Sequence, residues 1–320
     1  MRDTILFGDC RETLKEFDEK ARMCVTSPPY YGLRDYGGED NQIGQEQTPE
    51  EFIEQLVSVF REVKNVLTDD GTCWVNLGDS YYNYRPGKGQ ALVKQSVSKT
   101  KQDLPDKCAK RANKLEGLKE KDLIGIPWMF AFAMRNDGWY LRQDIIWHKP
   151  NPMPESVRDR CTKSHEYIFL FSKNKKYYYN NEAIKEPAKD WGTRDRTNGK
   201  YHNEGTGLQP HSGLTKSYPT KNKRSVWSVT NKPYREAHFA TYPPDLIEPC
   251  ILAGSEVGDI VLDPFMGSGT TAAVAKALGR DYIGCELHED YGNLIKKRVE
   301  DYQTVNKVVQ EPSINILDII

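Results

Sequence analysis

Residues 258–271 read Gly-Asp-Ile-Val-Leu-Asp-Pro-Phe-Met-Gly-Ser-Gly-Thr-Thr, and no other stretch restricts the fold of this chain as strongly. A short β-branched run ends in Asp263, a proline opens a tight turn, and two glycines leave backbone without side chains. Thr270 and Thr271 then begin a helical pattern that ends near Gly279. A strand that runs through a glycine bend into a helix belongs to an α/β sheet. It aims the first amides of the helix at whatever binds over the strand end. The next apolar run, residues 282–285, ends in Glu286, where an acid can accept both hydroxyls of a ribose. Phosphate fits poorly here. The bend has no lysine to meet it, since Lys276 lies inside the helix, and Asp263 would repel an anion. An acid suits instead the positively charged amino-acid and sulfonium end of S-adenosylmethionine.

The rest of the chain repeats the alternation. Apolar runs at 21–26, 73–77, 145–147 and 167–171 read as buried strands of a mostly parallel sheet. Thr48-Pro-Glu-Glu51 reads as a capped helix start, and Phe52, Leu56, Val59, Phe60, Val63 and Leu67 continue it to just before Asp69. Further helices are expected over 127–135 and 244–253. Two segments break the rhythm, 83–121 and 181–235, and both are expected as insertions on a single domain spanning 1–320. Residues 85–121 carry eleven basic side chains against four acidic, and 172–235 carry fourteen against five, although the whole chain has a net charge of −1. Two basic segments on an acidic body suggest a side that faces a polyanion.

With 38% hydrophobic and 28% charged residues the composition is globular, and no apolar run is long enough to cross a membrane. The seven cysteines form no CxxC pair, which argues for reduced thiols, a cytoplasmic protein and no metal site. No signal-peptide pattern opens the chain.

Thr26-Ser-Pro-Pro-Tyr30 follows the 21–25 run directly. Two prolines fix two φ angles and remove two N–H donors, so an acceptor-rich turn stands at the carboxyl edge of the sheet. There the Ser27 hydroxyl and the Pro28 carbonyl can face one amino group, and Tyr30 offers a ring for stacking on a base.

Ser-Pro-Pro-Tyr together with Asp-Pro-Phe-Met-Gly-Ser-Gly-Thr-Thr resembles the catalytic and cofactor motifs of the amino-group DNA methyltransferases. The catalytic motif comes first, as in that family's beta arrangement. Asn76-Leu-Gly-Asp-Ser80, Trp147-His-Lys-Pro150, His165-Glu-Tyr-Ile-Phe-Leu-Phe171 and His238-Phe-Ala-Thr-Tyr-Pro243 resemble its secondary landmarks. The resemblance implies a permuted, seven-stranded, mostly parallel Rossmann-like sheet with basic DNA-recognition insertions. The strands at 21–26 and 260–263 are then neighbours at its switch point.

It implies S-adenosylmethionine as cofactor, with contacts from Asp9, Asp263, Pro264, Phe265, Gly267, Ser268, Gly269, Thr270 and Glu286. Catalysis falls to Ser27, Pro28, Pro29 and Tyr30, acting on a base flipped out of double-stranded DNA. Serine at the first catalytic position is more similar to the cytosine-N4 enzymes, which favours cytosine N4 over adenine N6. An RNA methyltransferase and a non-catalytic DNA-binding relative are the other readings. Pro249-Cys250 is not read as the nucleophile of a cytosine-C5 enzyme, because Leu246, Ile247, Cys250, Ile251 and Ala253 lie at core helical spacing. Arg194, Arg196, Lys221, Lys223 and Arg224 are the candidate DNA contacts within the second insertion, the expected target-recognition segment. A cognate restriction endonuclease and a second copy of the chain are further candidate partners.

Overall fold

Alternation along the strands decides the layers. Ile260 and Leu262 pack to one side, Val261 to the other, and all three are buried. The same period of two splits Ile283 from Tyr282 and Cys24 from Met23 and Val25. Such strands need helices on both faces. The structure, a computed structural model, describes residues 1–32, 42–82, 115, 117–188, 219–231 and 242–310, of which 304–310 are described as backbone only.

In chain order the strands of the main sheet are β1 (Thr4–Phe7), β2 (Ala21–Thr26), β3 (Leu67–Leu77), β4 (Tyr140–His148), β5 (His165–Ser172), β8 (Val226–Ser228), β9 (Ile260–Asp263) and β10 (Asp281–Glu286). A separate two-residue pair, β6 (Glu186–Pro187) with β7 (Thr220–Lys221), closes the base of the second basic segment. The helices are α1 (Cys10–Thr13), α2 (Pro49–Val66), α3 (Ile126–Asn136), α4 (Pro244–Gly254), α5 (Thr270–Ala277) and α6 (Tyr291–Gln310). The sheet order is β1-β10-β9-β2-β3-β5-β4-β8, and β5 alone runs against the others. This is the expected mostly parallel sheet, with β8 as a three-residue eighth strand at one edge. Helices α1, α2 and α3 cover one face, and α4, α5 and α6 the other.

Local chemistry explains where elements begin. At the start of α2 the Thr48 hydroxyl accepts from Glu51 N at 3.2 Å, and the Glu51 carboxylate accepts from Thr48 N at 3.2 Å, the reciprocal cap read from the sequence. The helix ends earlier than its periodicity suggests. Leu67 turns extended and opens β3, and Arg22 of β2 holds Asp70 and Asp259 at the entry of the two neighbouring strands.

Strands β2 and β9 pair in parallel, Met23 with Val261 and Cys24 with Leu262. From β9 the chain crosses through α5 to β10 on one side; from β2 it crosses through α2 to β3 on the other. The order reverses between these two strands, which opens a crevice over their carboxyl ends.

Helix α6, which the sequence reading left unassigned, braces this place from behind. Gly269 has φ +84°, and a Cβ there would stand 2.8 Å from Ile295 Cγ2 and 3.1 Å from its Cα. Gly258 has nearly the same φ, +85°, but faces open space. Gly258→Ala is therefore expected to cost only the backbone strain, about 1 kcal/mol. Gly269→Ala adds a backbone clash and is expected to cost about 3 kcal/mol. Urea unfolding of the two variants checks the difference.

Candidate active site

The carboxyl ends of β1, β2, β9 and β10 surround one cleft of about 1110 Å³, counted to its open mouth. Ser27 and Pro29 line it from the proline turn. Pro264, Phe265, Gly267, Ser268 and Thr270 line it from the glycine bend, and Asp9 and Glu286 line it from β1 and β10. The two motifs, at opposite ends of the chain, thus face the same space.

Ser27 is oriented from behind. Its hydroxyl donates to Asn76 Oδ1 at 3.3 Å, and the Asn76 amide is itself fixed because Nδ2 donates to the Tyr167 carbonyl at 3.0 Å and to Glu166 Oε2 at 3.3 Å. Having given its one proton to Asn76, the Ser27 oxygen has lone pairs left to accept with. The Glu166 carboxylate also accepts from the Tyr30 hydroxyl at 2.7 Å and pairs with the Lys149 ammonium, which lies over the Trp147 ring.

Tyr30 is not a wall of the cleft; its ring lies on Gly78, where a Cβ would come within 2.7 Å of Cε2. Burial and the Glu166 charge push its hydroxyl well above the usual tyrosine range, so it stays protonated and serves as a strut. Pro28 is buried between the half-buried Ser27 and Pro29 in sequence.

Asp263 is buried at the end of β9. It is 1% exposed and does not line the cleft. Oδ1 accepts from the Thr26 hydroxyl at 2.5 Å and from Phe265 N at 3.0 Å; Oδ2 accepts from the Thr271 hydroxyl at 2.5 Å and the Tyr242 hydroxyl at 3.1 Å. Burial raises this carboxyl above its ordinary value, and the four donors work against that rise. Such an acid ties segments together. The two glycines also divide their tasks. Gly267, at φ +52°, has only the Phe265 carbonyl, at 3.9 Å, near its missing Cβ, whereas Gly269 makes room for Ile295.

Glu286 accepts from Gly267 N at 2.8 Å and His288 N at 3.1 Å. It braces the bend while remaining in the cleft wall, and burial raises its carboxyl above the usual range. Asp9 caps α1 by accepting from Arg11 N at 2.9 Å and is gripped by the Arg11 guanidinium. Burial would raise its carboxyl, but the Arg11 hydrogen bonds outweigh this and hold it low. Cys10 and Cys285 also line the cleft, and desolvation raises both thiols, Cys285 to about 12, so neither is a nucleophile. Cys250 is buried in α4 against the Leu246 carbonyl.

Comparison with known proteins agrees with this geometry. The profile of the N6/N4 DNA methylase family matches residues 21–297. The chain belongs to the N6/N4 DNA methylase family. Among its relatives, the type II methyltransferase M.SmaI of Serratia marcescens is 47% identical, over 92% of this chain and 90% of that protein. The type II methyltransferase M.XycI of Xanthomonas campestris pv. cyanopsidis is 46% identical, over 94% and 89%. In fold, the methylase is similar to the cytosine-N4-specific PvuII DNA methyltransferase, at TM-score 0.60 and 18% identity over 96% and 92% of the chains. It is also similar to a putative DNA modification methylase from Thermus thermophilus complexed with S-adenosyl-L-methionine, at TM-score 0.56 and 24% identity over 93% of each chain.

The expected DNA contacts are only partly placed. Arg194 and Arg196 lie outside the described residues. Lys221, Lys223 and Arg224 do not line the cleft. They precede β8, four strand positions from β2, or roughly 19 Å at the usual strand spacing, and all three gather on Glu186. In this methylase they hold the base of the second basic segment against the sheet edge.

Asn76, Glu166 and Tyr242 were missed as site residues although each stands in a landmark motif. Their spacing carries no sign of which strand or helix they would meet. Arg298 was missed too; Tyr291, Ile295, Arg298 and Tyr302 at helical spacing were the available signal.

Asp263→Ala leaves three hydroxyls and an N–H without their acceptor. It is expected to destabilise the methylase by about 3 kcal/mol or more, while Tyr242→Phe, which removes one donor, should cost about 1 kcal/mol. Chemical denaturation of both variants reads the ratio.

Proposed function

We propose that this methylase transfers a methyl group from S-adenosylmethionine to an exocyclic amino nitrogen of a base flipped from double-stranded DNA, and that the base is cytosine, methylated at N4. The observation that carries the reading is the shared cleft, in which an acceptor-only Ser27 faces the glycine bend.

The residues fit the cofactor. Gly267 leaves backbone bare on the cleft side, the Glu286 carboxylate stands in the wall where ribose hydroxyls need acceptors, and Thr270, 4% exposed, brings a hydroxyl to the same wall. When bound, S-adenosylmethionine supplies an electrophilic methyl on a sulfonium. An exocyclic amino group is a poor nucleophile while its lone pair is delocalised into the ring. Ser27 Oγ and the Pro28 carbonyl accept from its two hydrogens and favour the pyramidal nitrogen, which gathers positive charge as it is methylated. Asn76 keeps Ser27 in that sense, and being an amide it takes no proton. The charged nitrogen is acidic and loses its proton to water, so the cleft needs no strong base. Proximity contributes a further large share of the rate.

Serine at the first catalytic position supports cytosine N4, and the similarity to the cytosine-N4-specific PvuII enzyme is consistent with it. Adenine N6 is the second reading, since Ser27 would accept equally well from an adenine amino group. The type II naming of the relatives supports a place beside an endonuclease that reads the same DNA sequence. The basic segments 83–121 and 181–235 supply phosphate contacts in this reading.

Incubation with unmethylated duplex DNA, RNA and labelled cofactor, followed by mass spectrometry of the nucleosides, is expected to yield N4-methylcytosine from DNA. N6-methyladenine would overturn the base assignment, and label on RNA alone, or on neither, would overturn the function. Ser27→Ala is expected to lower kcat about a hundredfold or more, with cofactor affinity little changed. Cofactor affinity itself is expected to depend on pH through Glu286, whose ionised form accepts the ribose hydroxyls. Because its carboxyl is raised, affinity is complete above the raised value and falls as pH drops through it, above the ordinary glutamate value of about 4.3. Glu286→Gln should abolish this dependence, as read by calorimetric titration.

A further inference from the structure

Acids are rarely placed in covered strands, yet β5 carries Glu166 one side chain away from Ser27. The Ser27 hydroxyl donates to Asn76 Oδ1 at 3.3 Å, and the other end of the same amide donates to Glu166 Oε2 at 3.3 Å. Serine, amide and carboxylate thus form one hydrogen-bonded line from the turn after β2, through β3, to β5. Glu166 does not line the cleft; Ser27, at the other end of the line, does.

Holding Asn76 in place does not require a charge. The residue is 4% exposed, and its Nδ2 already donates to the Tyr167 carbonyl at 3.0 Å. A neutral oxygen would accept the second N–H without the desolvation that a carboxylate costs. The chain nevertheless puts an anion here and surrounds it with donors. The Tyr30 hydroxyl meets Oε2 at 2.7 Å, and the Lys149 ammonium, itself 4.2 Å from the centroid of the Trp147 ring, meets Oε1. Lys149 takes one oxygen and the relay takes the other, so the carboxylate separates the ammonium from Asn76 along the line of contacts. The pair is mostly withdrawn from water, with side-chain exposures of 17% and 14%, and salt screens such a field weakly.

An anion at the N–H end of an amide draws negative charge onto the amide oxygen, and hydrogen bonds in such a line strengthen one another. The Ser27 O–H then donates more fully to Asn76, and Ser27 Oγ becomes the better acceptor toward the cleft. The direct field has the same sign, because the nitrogen that Ser27 meets gathers positive charge as the methyl group arrives.

We propose that Glu166 is a positioning residue for methyl transfer, acting through Asn76 to fix and polarise Ser27 as an acceptor and favouring the positive charge that grows on the attacked nitrogen. The inference rests on the functional reading above and adds which charge outside the cleft supports the step, and by what route.

Single-turnover transfer from labelled S-adenosylmethionine to unmethylated duplex DNA, run as a double-mutant cycle with Ser27→Ala, tests it. Glu166→Gln keeps an acceptor for Asn76 and removes the charge. It is expected to lower the transfer rate about tenfold, the order set by a unit charge roughly 9 Å away at an effective dielectric of about 20. Affinities for cofactor and DNA are expected to stay within about twofold. On the Ser27→Ala background the same substitution is expected to cost less than about threefold, since the relay has lost the oxygen through which it acts. Glu166→Asp, which keeps a carboxylate beside Lys149, is expected to retain part of the rate. An unchanged rate in Glu166→Gln would overturn the proposal. So would an equal loss with and without the Ser27 oxygen, the mark of a carboxylate that only holds the fold. Circular dichroism checks folding, and Glu166→Asp in the same cycle keeps the test decisive if Glu166→Gln does not fold. A native chain that transfers no label to DNA would instead overturn the functional reading.

Discussion

The carboxylate of Asp263 holds the site together. It takes hydrogen bonds from the end of β2 through Thr26, from the first turn of α5 through Thr271, from the segment before α4 through Tyr242, and from its own bend through Phe265 N. Burying an ionised carboxylate costs several kcal/mol unless its lone pairs are satisfied, and here each oxygen meets two donors. The four donors come from four stretches of chain, so the acid is satisfied only when all four are in place. Ser27 follows Thr26 directly, so its position relative to the glycine bend is tied to this one satisfied charge. A methyl transfer tolerates little misplacement, which gives the rigidity of this node its purpose.

Much of this was legible in the sequence, for physical reasons that also mark where legibility stops. The bounds of β2 and the start of α2 follow from local chemistry, a β-branched run and a reciprocal cap, and local chemistry is written in order along the chain. The adjacency of β2 and β9 followed from family resemblance and the switch-point rule. What stayed hidden was direction. Asp263 and Glu286 both end strands, yet one carboxylate turns into the protein and the other into the cleft wall. Nothing in the residue type distinguishes them. Tyr30 is legible as a ring beside the turn, but that Gly78, from another strand end, seats this ring is not. Lys221, Lys223 and Arg224 are legible as basic, but that Glu186, some 35 residues earlier, is their common partner is not written in their spacing.

Hydroxyl groups gain chemical direction here from what stands behind them. A serine alone can donate or accept, and water would let it do either. Asn76, locked by Tyr167 and Glu166, accepts from Ser27; Arg298, which can only donate, gives to Ser268. Both partners are at least nine-tenths buried, so solvent does not compete for the bonds that set the polarity. Two identical side chains in one cleft are thereby held in opposite senses.

The order of the motifs along the chain matters little once they are joined sideways. Thr26 and Asp263 lie 237 positions apart and are bridged by a hydrogen bond at 2.5 Å, above strands that already pair through Met23 and Cys24. Closing a loop grows in entropic cost only logarithmically, about 0.6 kcal/mol for each doubling of length. A long basic segment such as 181–235 can therefore lie between the two halves of the site at modest cost. Moreover, segment 181–235 follows β5 and carries β8, and these strands with β4 occupy the opposite end of the sheet from β1 and β10. Segment 181–235 can then change in length or sequence at that edge without disturbing the Asp263 node, whose partners lie at the β2–β9 junction.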